Sequence, residues 1–509
     1  MDDNNQNSVK NQASPGPDVP SPIFETIPVE GGEMNLNAQE LKPEEIAPDV
    51  ESPEAVESGG INPEILPSDQ PMVYEESKTK YIFIALGGLF FIIVVVLIFM
   101  FISNISRRTI AKKDIEITYW GLWEEKEVYD PLIKIYEEKN PGVKIIYEKK
   151  SPEDYREKLI VRSQKGQGPD IFRFHNTWLP QIREVASALP KEVMTGAEFE
   201  KTFYPIHQKD LKSGADYYGL PLYVDGLVLV YNESLFKKAG LSSAPSNWDE
   251  LIEYAGRIQV QSQESGLITA GIAMGTASNI EHFSDIFGLM LLLNGGEINN
   301  LDRPEASGAL EAYRRFAEQP NNTWDESMPN SINAFIQQKV AMIIVPSWEL
   351  LTIKAEDPDL SLKVVPIPKP PGGRQISLAS YWVEGVSKMS KNQLESWKFL
   401  KYLTEKDVMT KMYENQSAIR IFGTPYSRID LAKLVIQNEY TGAVIKQAED
   451  DVFLSLPLTS RTFDNGLNDE IIRYLENAIN GTIRGVSYDE ALGTAKKGID
   501  QVIERYKIE

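Results

Sequence analysis

Cysteine is absent from the 509 residues, which removes disulfides, thiolate metal ligation, a thiol nucleophile and a thioether lipid anchor at one stroke. Histidine is scarce: His175, His207 and His282 are the only three, and no two stand at the helical spacing of a zinc pair. Neither a GxSxG elbow, a GxxxxGK phosphate loop nor a GxGxxG fingerprint occurs, so nucleophilic hydrolysis, nucleotide hydrolysis and dinucleotide chemistry lack their signatures. Positive charge is in deficit, 52 Lys and Arg against 74 Asp and Glu, for a net charge of -22. Nucleic-acid affinity depends on neutralising phosphates with basic side chains, so DNA and RNA are not expected partners. No catalytic residue, metal or cofactor is predicted.

The acidic excess is uneven. Residues 1–80 carry 17 Asp and Glu against 4 Lys and Arg, a net of -13, together with 11 prolines and few apolar residues. Such a stretch buries too little surface to offset its ordering entropy and reads as a disordered, acidic, Pro-rich tail, either a plain solvated extension or a docking tail. Then comes "YIFIALGGLFFIIVVVLIFMFISN". Tyr81 to Ile102 is free of charge and spans about 33 Å as a helix, the thickness of a bilayer core, so residues 81–103 are expected to be one transmembrane helix. It lies too far from Met1 for an ordinary cleaved signal, which makes it an uncleaved anchor. Lys78 and Lys80 precede the span while Arg107, Arg108, Lys112 and Lys113 follow it in the basic linker 104–113. That charge bias leans toward a cytoplasmic C-terminal part.

Beyond the linker the pattern becomes regular. "DIEITYW", "PGVKIIYEK" and "PDIFRF" read as strands beginning at Ile115, Val143 and Ile171. Their even spacing is that of βαβ units, which predicts parallel strands with right-handed crossovers. Between them "EKEVYDPLIKIYEEKN" has helical spacing with Leu132, Ile135 and Tyr136 on one face, and "SPEDYREKLIVRSQKG" predicts a helix with Ser151 as N-cap and Pro152 in its first position. "SNWDELIEYAGRIQ" carries an N-cap at Ser246 or Asn247, "INAFIQQKVAMIIVPSW" is helix then strand, and "NQLESWKFLKYLTEK" is helix again. Two α/β lobes connected more than once fit this order better than one continuous sheet. Open α/β sheets bind ligands beyond the carboxyl ends of their strands. That rule selects Trp120, Trp123 and Glu124 after the first strand, and His175, Asn176 and Trp178 after the third.

Seven stretches in order, "ITYWGLWEE", "YEEKNPGVKI", "GPDIF", "YGLPLYVDGLVLVYN", "NWDEL", "KVAMIIVPSW" and "VSKMSKNQLESWKFLKYLT", resemble the extracellular solute-binding proteins of ABC importers, most closely the sugar-binding branch that includes maltose-binding protein. The similarity covers roughly residues 114 to 505. It implies an α/β, two-lobed periplasmic-binding-protein fold over 114–509, with a first lobe of about 114–226 plus 376–424 and a second of about 227–375 plus 425–509. Hinge crossings would fall in "YGLPLYVDGLVLVYN", in "VVPIPKPPGGRQISLA" and near "FGTPYSR".

The resemblance also implies a site. Trp348, after the "AM" strand, would stack on a sugar ring, whose C–H faces suit an aromatic platform. Trp120, Trp123 and Glu124 match the first cleft loop, His175 and Asn176 the polar position after "GPDIF", Asp225 the crossing strand, and Tyr381, Trp382 and Glu384 the return strand. Trp178 and Trp248 read as structural. Among candidate loops the basic residues are few, Arg173, Arg374 and Arg461, which disfavours an anionic ligand. The implied function is capture of a sugar or oligosaccharide and its delivery to ABC permease and ATPase subunits, with the binding domain outside the cell, against the charge bias, and the tail in the cytoplasm. The alternatives are a ligand sensor coupled to a cytoplasmic partner, and a carbohydrate-active enzyme using Glu124, Asp225 or Glu384.

Overall fold

The hydrophobic runs beyond residue 113 assemble into two main sheets, with two short two-stranded pairs beside them among the described residues. In the computed structural model, residues 92–98, 100, 114–264, 266–320, 322–463 and 465–506 are described. The acidic tail 1–80, the linker 104–113 and most of the expected span Tyr81–Ile102 lie outside them. Residues 92–98 and 100 are helical, and Ile92, Ile93, Val95, Val96, Leu97 and Ile98 are exposed. Among the described residues no helix is long and apolar enough to cross a membrane.

The first sheet has the order Trp382–Val386, Ile171–His175, Ile115–Gly121, Val143–Lys149. Its last three strands are parallel, Ile115 opposite Val143 and Tyr119 opposite Ile171, as the spacing predicts. The fourth strand arrives from far along the chain and runs antiparallel, with Trp382 opposite His175. The helix Lys126–Lys139 covers this sheet through Tyr129, Leu132, Ile133 and Tyr136, spaced i, i+3, i+4, i+7. Ile135, expected on that face, is exposed, because its position falls outside the stripe. The next helix starts at Tyr155 rather than at Pro152. Asp154 turns into the left-handed region at φ 52° and breaks the helical path, while Ser151 Oγ accepts from the Glu153 N–H in the turn ahead of it.

The second sheet has the order Leu362–Val365, Leu227–Asn232, Val340–Pro346, Gly266–Ile272, Val260–Ser262. All seven residues of Val340–Pro346 are buried, which explains a continuous apolar run rather than alternation. Leu227–Asn232 pairs antiparallel on both sides, with Leu227 opposite Pro346 and Leu362 opposite Asn232. On the flank, Asn247 is the N-cap of the helix Trp248–Ile258 and accepts from the Glu250 N–H at 3.0 Å. Ser246 donates its N–H and its hydroxyl to the Glu250 carboxylate in return, a reciprocal cap.

Between the sheets the chain crosses more than once, and the crossings touch. Tyr223 bridges Tyr426 and Gly226 bridges Ala379, while Ser377–Leu378 pairs in parallel with Phe453–Leu454. Gly226 is required there: a Cβ at this position would strike the Leu378 carbonyl and the Phe453 ring.

Candidate functional site

Strand register decides what meets at the gap between the sheets. On the first sheet the carboxyl ends of Ile115–Gly121 and Ile171–His175 lead to Trp123 and Glu124 and to His175. The antiparallel return strand begins at the same edge, so Trp382 lies beside His175. On the second sheet Val340–Pro346 runs out into Ser347 and Trp348. Because Leu227 is opposite Pro346, Asp225 sits at that edge too. Together these enclose a cavity of about 300 Å³ lined by Trp123, Glu124, His175, Asp225, Trp348 and Trp382. Tyr223, Ser347, Arg420, Phe422, Arg461 and Phe463 also contribute. A larger hollow of about 790 Å³ lies along Arg156, Gln181, Lys209 and Tyr506 and shares no residue with it.

The walls are aromatic. Trp382 is packed edge-on by His175 and Trp178, each with ring centroids 5.2 Å away, and meets Trp123 at 5.6 Å. Trp123 in turn meets Phe463 at 6.4 Å. Phe463 has φ 58°, a conformation a bulky side chain ordinarily avoids. Trp348 is half-buried, directly before the helix Glu349–Glu356. Its ring and that of His282 stand edge-to-face with centroids 6.1 Å apart. Burial alone would discharge His282, but hydrogen bonds to Asp285 and Glu349 raise its pKa to about 9.

Acids on the first-sheet side share one cation. Arg173, fully buried, donates to Glu124 through Nη1 and to Glu384 through Nε at 2.8 Å. Tyr119 completes the group by donating its hydroxyl to Glu384 at 2.7 Å. Burial opposes the charge of Arg173, yet the two carboxylates outweigh it and hold its pKa above the ordinary range. His175 is neutral: burial pushes its pKa down to about 3, and its ring nitrogens lie 2.8 Å from Thr177 Oγ1 and 3.1 Å from Ser380 Oγ.

Asp225, on the other side, has no such cation. Its Oδ1 accepts from the Gly226 and Ser347 N–H groups at 2.7 and 3.1 Å, and its Oδ2 from the Ser347 hydroxyl at 2.7 Å. Burial raises its pKa to about 7 against these donors.

Four residues selected from the sequence lie away from the cavity. Trp120 alternates with Tyr119 along its strand and points to the opposite face, where it is buried beside Tyr155 with Lys150 Nζ 4.7 Å from its ring. Asn176 and Tyr381 are tied to each other and to Asp210: Asn176 Nδ2 donates to Asp210 at 2.9 Å and the Tyr381 hydroxyl at 2.7 Å. Glu384 is wholly buried under Arg173. Trp178 and Trp248 are buried, as their structural reading requires. Arg374 is exposed and donates to the Asp451 carbonyl at 2.8 Å. Arg420 and Phe422 went unselected because they follow the helix Lys406–Ser417 rather than a strand end. Among the described residues no cluster of three or more ligating side chains could hold a metal.

Two sheets joined by several crossings, with an aromatic cavity in the gap, define a two-lobed binding protein. The family described as bacterial extracellular solute-binding protein matches residues 119–410, more than half of the chain, and the chain belongs to that family. A binding protein of Brucella abortus (strain 2308) is 28% identical over 301 residues, 58% of this chain and 72% of its own length. The multiple sugar-binding protein of Streptococcus mutans is 25% identical over 328 residues, 61% of this chain and 76% of its own. Among solved structures, the sugar-binding protein MalE from Xanthomonas citri matches with a TM-score of 0.63 at 19% identity, covering 77% of this chain and 98% of that one; at that identity it shows the fold.

Proposed function

We propose that this chain is the membrane-tethered, sugar-capturing component of an ABC importer. The cavity carries the reading: three tryptophans from two sheets bring ring surface to the walls, with hydrogen-bonding groups between them, which is what a pyranose with apolar faces and a hydroxyl rim requires. Relatives named for sugar binding support the ligand class. The lobes run about 114–226 with 376–424, and 227–375 with 425–509, and their closure about the crossings is what the permease and ATPase partners sense. Trp123, Glu124, His175, Asp225, Trp348 and Trp382 contact the sugar. The helical stretch 92–98 with its exposed apolar side chains supports Tyr81–Ile102 as the tether, which leaves the binding domain outside the cell. A non-enzymatic role fits carboxylates that are already engaged, Glu124 and Glu384 by Arg173 and Asp225 by Ser347.

Intrinsic tryptophan fluorescence of the full chain across a saccharide panel tests this. A saturable change is expected with at least one sugar, which is recovered chemically unchanged. Trp348→Ala is expected to weaken that binding by about 2 kcal/mol, roughly thirtyfold, with a melting temperature lowered by no more than about 3 °C. A sugar returned cleaved, or a Trp348→Ala variant that binds normally, overturns the reading.

A further inference from the structure

Hydrogen-bonding capacity around the cavity is unevenly used. Of the charged groups lining it, one has a buried donor left without an acceptor. Glu124 accepts from Arg173, both oxygens of Asp225 are taken by Gly226 and Ser347, and Arg461 donates Nη1 to Glu281 at 2.9 Å. Arg420 spans a different situation. Its Nε donates to the Phe422 carbonyl at 3.0 Å, but Nη2 is buried with no hydrogen-bond partner, and no ion pair engages its guanidinium among the described residues. Burial lowers its pKa, and the field of Glu124, already bound by Arg173, offsets this only in part. Arg420 as a whole is half-buried, so the cost falls on the sealed donor: a buried N–H without an acceptor is unfavourable unless something completes it. The guanidinium fork matches a carboxylate or phosphate edge, two acceptors side by side.

Resting on the sugar-binding reading, we propose that the ligand is an anionic saccharide, whose acidic group meets Arg420 while its ring lies among Trp123, Trp348 and Trp382. Arg461, on the same cavity and 5.8 Å over the Phe463 ring, adds positive potential at that side. Glu124 Oε2 and both oxygens of Asp225 already accept from the protein, whereas of the donors of Arg420 only Nε is engaged. Carboxylate and phosphate share this chemistry, and the experiment separates them.

Titrate the full chain, in detergent micelles, with D-glucuronate and D-galacturonate as monosaccharides and dimers, with the corresponding neutral sugars, and with hexose 6-phosphates. At least tenfold tighter binding of one acidic class over its neutral counterpart is expected, and the class that wins identifies the acidic group. Arg420→Gln should reduce that preference to within threefold, and Arg420→Lys should restore part of it, a point charge replacing a fork. Neutral sugars binding as tightly as acidic ones overturn the inference while leaving sugar capture intact. A preference that survives Arg420→Gln also overturns it. Binding of no saccharide overturns both readings. Should Arg420→Gln fail to fold, the wild-type preference and its decline with added salt decide.

Discussion

The two walls of the cavity treat their acids in opposite ways. On the first-sheet side Glu124 and Glu384 share Arg173, so the acids are held by an opposite charge and the group is fixed by geometry. On the second-sheet side Asp225 is held by two N–H groups and a hydroxyl, with burial left to push its pKa to about 7. The first arrangement is tied together by charged hydrogen bonds, with burial raising the pKa of Glu384 while Arg173 and Tyr119 oppose it. The second can gain or lose a proton near neutrality, at the point where the chain passes from one sheet to the next and touches the residue before Trp348.

The largest effect should come from breaking the first wall. Arg173→Leu removes the only cation between two buried carboxylates, and a buried charge stripped of its partner typically costs about 3–5 kcal/mol. Chemical denaturation should show the midpoint collapse, with binding lost only as a consequence of unfolding. A variant as stable as the parent would mean that Glu124 and Glu384 take up protons without cost, and the contrast between the walls would disappear.

Replacing the acid of the second wall should act through pH instead. An Asp whose folded pKa is raised binds more protons folded than unfolded, so between its unfolded value of about 3.9 and the folded value of about 7 stability falls as pH rises, and above that window the loss is complete. Asp225→Asn keeps the shape and cannot ionise. Relative to the parent it should therefore gain about 2–3 kcal/mol in stability between pH 5 and pH 8. Parallel pH profiles for the two proteins would show that Asp225 does not change its protonation on folding.

Much of this could be read before any coordinates. The three strand starts at Ile115, Val143 and Ile171 predict the parallel core, because a βαβ unit has a fixed length, and apolar runs such as Val340–Pro346 announce strands covered on both faces. Trp123, Glu124, His175, Asp225, Trp348 and Trp382 were all legible as strand-end residues or by family resemblance, and all line the cavity. What was not legible depended on partners distant in the chain. Glu384 looked like a hydroxyl acceptor until Arg173, from 211 positions earlier, came to lie against it. Asn176 and Tyr381 carry polar groups suited to a ligand, but Asp210 takes them. Arg420 was missed for the converse reason, since nothing local to a post-helical loop says that it will be carried to a cleft.

The smallest expected effect concerns which face of the first wall matters. Trp120 and Trp123 stand three residues apart, and only the second lines the cavity; strand alternation turns Trp120 toward Tyr155 and beneath Lys150 and Arg162. Trp120→Phe retains a ring in that pocket while shortening it, a change expected to cost about 1 kcal/mol of stability through lost packing and cation contact. Saccharide affinity should stay within twofold of the parent. The same fluorescence titration distinguishes the cases, because Trp348 and Trp382 remain as reporters. A tenfold loss of affinity with stability unchanged would put Trp120 in contact with ligand and would extend the first wall of the site through the sheet to its far face.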